Sequence, residues 1–212
     1  MSRDTSIARP IVYIVDDDVS VRESLVGLVA EAGWRPAVFA SAEAFLAHVR
    51  ELVPSCLVLD VGLPDLNGLE LQKRIADQAT LPIIFITGRG DIPMSVQAMK
   101  AGAVEFLPKP FGPDVLVSAV QGAIERSRAS LAREAGLHDL RGRYESLTPR
   151  EREVMALVVR GQLNKQVAGE LDIAEITVKV HRGQVMRKMA AHSLAELVDM
   201  AARLGQATTG QR

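Results

Sequence analysis

Ile11-Val-Tyr-Ile-Val-Asp16-Asp17-Asp18 is an apolar, β-branched run that stops against three consecutive acids. Its five apolar residues show no alternation with polar ones, so the segment predicts a strand buried on both faces of a parallel sheet. The same composition returns at Ser55–Leu59 and Ile83–Ile86, and more weakly near Arg35–Phe39 and Val104–Leu107. Between these runs, apolar residues recur at helical spacing. Val21, Leu25, Leu28 and Val29 mark a helix over Val19–Glu31, and Gly33 suits its C-terminal cap. Comparable periodicity covers Ala42–Arg50, Leu66–Ile75, Ile92–Lys100 and Pro113–Ile124. Five strand–helix units in succession predict an α/β domain, a doubly wound five-stranded parallel sheet with helices on both faces.

Composition bounds the rest. The 212 residues, 48% hydrophobic and 24% charged, suffice for one large domain or two small ones with packed cores. A net charge of -1 excludes a uniformly basic nucleic-acid coat, and the single cysteine excludes a disulfide scaffold or a cysteine-based zinc site. Residues 1–10 read as an N-terminal tail carrying charges where a secretory signal needs an apolar run, and nothing later approaches an apolar span of ~20 residues. The expectation is a soluble cytoplasmic protein with no membrane partner. Charge is divided unevenly: Met1–Ile124 holds 10 Lys and Arg against 15 Asp and Glu, while Glu125–Arg212 holds 15 against 11. That division suggests two domains with different partners, although scatter of surface charge gives differences of this size.

In doubly wound sheets, ligands bind outside the carboxyl ends of the strands. The first predicted strand ends in Asp16-Asp17-Asp18, the third in Asp60, the fourth in Thr87, and the fifth leads into Lys109-Pro110. Carboxylates gathered on one rim resist ionising unless a cation lies between them, and hard oxygens select Mg2+. Lys109 and Thr87 then offer a positive charge and a hydrogen bond to a phosphoryl group, and Asp60 is placed to attack phosphorus in line and form an acyl phosphate. Asp18 suits an N-cap better than a ligand. Each of these residues alone has an ordinary structural role; their joint occurrence at successive strand ends points to the chemistry.

Val12-Tyr-Ile-Val-Asp-Asp-Asp18, Leu57-Val-Leu-Asp60, Leu63-Pro-Asp-Leu-Asn-Gly68, Ile84-Phe-Ile-Thr87-Gly88 and Phe106-Leu-Pro-Lys109-Pro110 together resemble the flavodoxin-like receiver domain of two-component response regulators. The resemblance implies that Asp60 accepts a phosphoryl group from a phosphohistidine on a cognate sensor histidine kinase. It implies that Asp16, Asp17, Asp60 and the backbone carbonyl of Gly62 hold Mg2+, with other divalent cations as substitutes. Thr87 and Lys109 engage the bound phosphoryl, and Phe106 takes the place of a switch aromatic, a plain core aromatic being the alternative. Lys109-Pro110 is expected to be a cis peptide, and dimerisation on phosphorylation through the last helix, strand and helix of the domain is implied as well. Gly62 departs from the larger residue common at that position, which leaves the phosphoryl more open to water.

Glu125–Ser146 contains no proline and is rich in helix formers, so residues 125–146 read as a mostly helical linker between a domain over 11–124 and a second over 147–212. His138 within it is expected to be a solvated linker histidine. Thr148-Pro149-Arg150-Glu151 has capping-box spacing with proline at the first helical position. Val154, Leu157 and Val158 then form an apolar stripe ended by Gly161; Asn164 is expected to cap a short helix through Leu171. A third helix spans about Glu175–Met189 and a fourth Ser193–Leu204. On the third, Lys179, Gly183 and Arg187 share a face that is positive and free of acids, suited either to a DNA major groove or to plain solvation.

Leu147-Thr-Pro-Arg-Glu151-Arg-Glu-Val154, Gly161, Asn164-Lys165-Gln-Val-Ala168 and Ile176-Thr177-Val-Lys179-Val180-His-Arg182 resemble the all-α, tetrahelical helix-turn-helix of the LuxR group. Both domains in this order are similar to the NarL/FixJ family of response regulators. The wording of Gly88-Arg-Gly-Asp-Ile-Pro93 and Thr177-Val-Lys-Val-His-Arg182 is most similar to the FixJ-like branch, which includes regulators of aromatic-hydrocarbon degradation. The resemblance implies that Lys179, Val180 and Gly183 face bases, beside Thr177, and that Lys165, Arg182, Arg187 and Lys188 contact phosphates. Lysine reaches guanine N7/O6 and an exposed valine meets a thymine methyl; Gly183 offers no side chain where relatives carry a long polar one. Ala174 stands where a serine cap is usual, at a cost of about 0.5–2 kcal/mol. Leu194, Leu197, Val198 and Ala201 form an apolar stripe available for pairing two copies on half-sites. The expected function is phosphorylation-dependent binding of promoter DNA, not enzymatic beyond phosphoryl acceptance and slow self-dephosphorylation. Two other readings fit the residues: a phosphorelay intermediate with an inert helical half, and a helical half that binds RNA polymerase as a sigma-like module.

Overall fold

The structure, a computed structural model, describes residues 9–76, 80–88 and 92–209, with backbone alone for 206–209. Residues 1–8 of the predicted 1–10 tail and the Arg89-Gly90-Asp91 part of the FixJ-like wording lie outside the described residues. The chain forms two compact units, Met1–Ala132 and Arg133–Arg212.

The first unit alternates β1 (Ile11–Val15), α1 (Val19–Glu31), β2 (Arg35–Phe39), α2 (Ala42–Ala47), β3 (Ser55–Asp60), α3 (Gly68–Arg74), β4 (Ile83–Thr87), α4 (Ile92–Lys100) and β5 (Glu105–Pro108). The helix α5 (Pro113–Glu145) begins in this unit. All strand pairs are parallel, in the order β2-β1-β3-β4-β5. The chain thus reverses direction between β1 and β3, the switch point at which such sheets open a crevice at their carboxyl ends. Strand alternation feeds two cores. Ile11, Tyr13, Val15, Leu57, Leu59 and Phe85 pack on one side with Phe45, Leu71 and Ala98. Val12, Ile14, Cys56, Val58, Ile84 and Ile86 pack on the other with Leu25, Val29, Leu116 and Val120. Burial on both faces is what removes the polar alternation from the sequence.

Helix ends differ from the periodicity in instructive places. Asp18 is indeed the N-cap of α1, its side chain accepting from the Ser20 N–H at 2.8 Å. The helix expected over Ala42–Arg50 stops at Ala47, where His48 turns to extended backbone. Asn67 caps α3, accepting from the Leu69 N–H at 2.9 Å, so the helix starts at Gly68 and not Leu66. Gln72, for which the sequence suggested nothing, is buried and donates through Nε2 to the Ala98 and Ala101 carbonyls at 3.2 and 3.1 Å, tying α3 to the end of α4. Ser127, fully buried on α5, donates to the Thr80 carbonyl and accepts from the Ser55 N–H.

The second unit contains the end of α5 followed by α6 (Pro149–Val158), α7 (Asn164–Leu171), α8 (Glu175–Met189) and α9 (Leu194–Thr209). Its core joins Val154, Leu157, Val158, Val167, Val178, Val185, Met189 and Leu197 with Leu140 of α5. The segment read as a linker is therefore helical through Glu145, and from Arg133 onward it belongs to this unit. His138 is exposed. The Thr148–Glu151 capping box is complete: Glu151 Oε2 accepts from the Thr148 N–H at 2.8 Å, and the Thr148 hydroxyl accepts from the Glu151 N–H. Asn164 is not the cap of α7. The backbone enters the helix one residue earlier, at Leu163, whose N–H is satisfied by Gln166 Oε1 at 2.8 Å. That frees the Asn164 side chain to accept from Arg182 at 3.1 Å.

Candidate functional site

Asp16 follows the last residue of β1, Asp60 ends β3, Thr87 ends β4, and Lys109 follows β5. The parallel register sets Asp60 beside Ile86, one residue short of Thr87. The Lys109 N–H donates to the Thr87 carbonyl at 2.7 Å, and the Lys109–Pro110 bond is cis, as expected. The Lys109 side chain reaches the ends of β1 and β3. Its ammonium donates to Asp16 Oδ2 at 2.6 Å and to Asp60 Oδ1 at 2.9 Å. The two carboxylates therefore face one another across a single cation, and Asp16 is only 1% exposed. Burial by itself would lower the Lys109 ammonium, but the bonds and charges of Asp16 and Asp60 outweigh it and hold it above the ordinary lysine value.

The remaining oxygens are fixed by backbone. Asp16 Oδ1 accepts from the Asp18 N–H at 2.9 Å, and Asp60 Oδ2 accepts from the Gly62 N–H at 2.6 Å. Arg22, another residue the sequence did not single out, donates to the Asp16 carbonyl at 2.6 Å and pins the turn from β1 into α1. A side chain at Gly62 would start 3.1 Å from Asp60 Oδ2, so glycine leaves that oxygen uncovered. Asp17 is exposed beside Asp16 in the chain. Phe106 is half-buried, its ring 6.3 Å from that of Phe85 and packed against the core.

Gly68 packs behind Asp60. A Cβ there would lie 2.6 Å from the Asp60 carbonyl oxygen, 3.0 Å from Val61 Cα and 3.2 Å from the Phe85 ring. Gly68→Ala is expected to destabilise the chain by about 1–3 kcal/mol, because backbone and ring must both give way. It should also lower phosphate incorporation by displacing Asp60. Urea unfolding and a phosphate-labelling assay on the same preparation check both effects.

Could these groups hold a cation? Among the described residues, no three acidic, histidine or cysteine side chains are gathered tightly enough to do so by themselves. Lys109 is the cation that separates Asp16 from Asp60. The two carboxylates that Lys109 draws together, Asp16 and Asp60, are nevertheless hard oxygen donors of the kind that suits Mg2+.

The second unit presents its basic residues unequally. Lys179 and Arg187 on α8 and Lys165 on α7 are exposed; Val180 is exposed, Gly183 has open space around it, and Thr177 is half-buried. Lys188, expected at a phosphate, is committed elsewhere. Its ammonium donates to Glu151 Oε2 at 2.6 Å and to the Ser146 carbonyl at 3.2 Å, and this pairing, with the Thr148 N–H, holds the Glu151 carboxyl below its ordinary value. Arg182 is likewise half-buried on Asn164. Both build the fold, since releasing Lys188 would strand a buried carboxylate. On α9 Leu197 is a fully buried core residue and Ala201 packs against the same core; only Leu194 and Val198 of the expected pairing stripe are exposed. Ala174 begins α8 without a side-chain cap.

Residues 12–121 match the response regulator receiver domain family, and residues 145–201 match the bacterial regulatory proteins of the luxR family. The chain is a two-component response regulator. A receiver is followed in it by a LuxR-type DNA-binding domain, the organisation of a transcription regulator. This response regulator is 50% identical over 198 residues to nodulation protein W of Bradyrhizobium diazoefficiens, a match covering 93% of this chain and 87% of that one. It is 46% identical to the response regulator protein TmoT of Ectopseudomonas mendocina, covering 92% and 89%. It is 45% identical to the transcriptional regulatory protein FixJ of Bradyrhizobium diazoefficiens, covering 92% and 95%. Among solved structures, the response regulator StyR shares 47% identity with a TM-score of 0.81, covering 92% of this chain and 100% of StyR. Full-length FixJ from B. japonicum shares 44% with a TM-score of 0.55, covering 92% and 97%. The BeF3-activated DrrB receiver domain shares 28% with a TM-score of 0.50, covering 54% of this response regulator and 97% of DrrB. No helix among the described residues is long and apolar enough to cross a membrane.

Proposed function

We propose that Asp60 is the phosphoryl acceptor of a cytoplasmic transcription regulator whose state is set by a sensor histidine kinase. The observation that carries this reading is the Lys109 ammonium bonded at once to Asp16 and Asp60, on strand ends that flank the switch point of the sheet. An Asp60 carboxylate oxygen attacks the phosphorus of a phosphohistidine. The new O–P bond forms as the P–N bond breaks, and the imidazole nitrogen leaves with the electron pair and regains a proton. Mg2+ bound by Asp16, Asp17, Asp60 and the Gly62 carbonyl would offset the charge on the transferring oxygens. Hydrolysis of the acyl phosphate restores Asp60, and the chain catalyses nothing further. The BeF3-activated form of the related DrrB receiver domain supports this reading.

Phosphorylation adds about -1.5 to -2 charges and three strong acceptor oxygens. Lys109 can meet them with the third N–H of its ammonium or by loosening its hold on a carboxylate, and Thr87 ends the neighbouring strand. Such differential contact is what shifts a conformational equilibrium. In this reading the shifted receiver forms a homodimer, and two copies of α8 grip promoter half-sites, with Lys179 and Val180 at bases and Lys165 and Arg187 at phosphates. The test compares the full chain with and without acetyl phosphate and Mg2+ by sedimentation and by binding to genomic fragments. Both dimer fraction and DNA affinity should rise at least tenfold with the donor. Equal binding in the two arms rejects the proposal.

A further inference from the structure

Ile176 drew no role from the sequence, yet it stands 67% exposed in the first turn of α8 and Val180 is 57% exposed one turn later. Neither is needed for packing, because Val178, Val185 and Met189 fill the core side of that helix. Ile176, Val180, Gly183 and Arg187 follow at spacings of four, three and four, so they share one stripe. The Gly183 position has nothing within 4 Å of where a Cβ would stand, so no side chain interrupts the stripe. Arg187 ends the stripe and donates to Gln184, while exposed Lys179 flanks it and pairs at 3.7 Å with Glu175, the one acid in the first turn. Exposed cations around an apolar pair, held only by partners on the same helix, suit DNA better than a protein partner, whose interface core is depleted of charge.

We infer that Ile176 is a specificity determinant that acts with Val180 to read the C5-methyl groups of two thymines in each half-site. Apolar side chains at the N-terminal end of a helix in the major groove meet thymine methyls, which no other base of unmodified DNA presents. Neighbours four apart on a helix stand about 5–6 Å from one another. That separation spans up to two base steps of about 3.4 Å, so the thymines are adjacent or one apart. Covering each methyl removes it and its partner side chain from water, a gain of roughly threefold to fivefold in affinity. The inference rests on α8 being the element that enters the groove.

The test uses the full chain, treated with acetyl phosphate, to select a duplex from a random pool. Every thymine of the selected site is then replaced in turn by deoxyuridine, which removes the C5 methyl and nothing else. For the unmodified protein, two positions should each lose threefold to fivefold in affinity. Ile176→Ala should erase the penalty at one position and Val180→Ala at the other, while Lys179→Ala binds more weakly and keeps both. A flat uridine scan on a duplex still bound specifically overturns the inference, and so does retention of both penalties by both alanine variants. That scan needs no variant, so misfolding cannot obscure it. If Lys179→Ala and Arg187→Ala bind like the parent with the same salt dependence, α8 is not at the DNA and the underlying reading falls as well. Loss of the dimer in Ile176→Ala, with an unaltered uridine scan, would assign the stripe to a second copy of the chain instead.

Discussion

Asp60→Asn is expected to abolish phosphate incorporation from acetyl phosphate and from a phosphorylated kinase, a loss to background and not a reduction. The amide keeps the shape of the carboxylate, and its oxygen can still accept from the Gly62 N–H that now holds Oδ2 at 2.6 Å. What it lacks is the anionic oxygen that attacks phosphorus. The fold should survive, because Lys109 retains Asp16, the more deeply buried of its two partners. Far-UV circular dichroism and the unfolding midpoint check that point, and a phosphate-affinity gel reads the modification itself. The donor-dependent rise in dimer and DNA affinity should disappear together with the label. Labelling of Asp60→Asn at the parent level would move the acceptor to another carboxylate, with the adjacent Asp17 and Asp16 as the first to replace in turn. Labelling lost but donor-dependent DNA binding kept would break the link between the two units of the chain.

The fold and the grouping of residues at the strand ends were legible for the same reason. A strand covered on both faces must be apolar throughout, so Ile11–Val15 and Ile83–Thr87 announce themselves, and each strand's last residues fall on the carboxyl rim by construction. Asp16, Asp60, Thr87 and Lys109 needed no distance information to be grouped. The basic surface of the second unit is another matter. Lys179 and Lys188 look alike in sequence and sit on the same helix, but Lys188 meets Glu151, 37 residues earlier, and Lys179 remains exposed. Only the packing of α6 against α8 decides which lysine is spent inside. Asn164 shows the same limit at the scale of one residue. Its type suits a cap, but the backbone enters the helix at Leu163 and Arg182 takes up the freed amide oxygen.

Gln72 and Gly68 mark what periodicity passes over. A buried amide that reaches across to the Ala98 and Ala101 carbonyls reads in sequence as one more polar residue on a short helix. Gly68 follows a capping asparagine and looks like ordinary helix-start composition, although the real constraint is the Asp60 carbonyl 2.6 Å from its missing Cβ. Both are long-range contacts, and sequence spacing carries no signal for them. Ile176 is the converse case: sequence spacing gave it no role, and only its exposure shows that the core has no place for it.

Lys109→Met should be the most destabilising single change at the rim, and its deficit should depend on pH and on divalent cations. The methionine stem keeps the packing of the lysine chain but leaves Asp16, 1% exposed, and Asp60 facing each other with no charge between them. Stranding buried ionised groups in this way costs about 3–5 kcal/mol. At neutral pH the parent carries that stabilisation in full. Because the Lys109 ammonium is held above its ordinary value, its contribution is complete below about pH 10.4 and is lost as pH rises through the higher folded value. The gap between parent and variant should therefore close in alkali. Millimolar Mg2+ should raise the midpoint of Lys109→Met more than that of the parent, since a hard cation then meets two carboxylates with no ammonium competing for them. A denaturant series at three pH values, with and without Mg2+, measures all of this without any assay of phosphorylation. A deficit that is small at neutral pH and indifferent to both variables would mean that Asp16 and Asp60 do not depend on Lys109, and the electrostatic account of the acceptor site would fail with it.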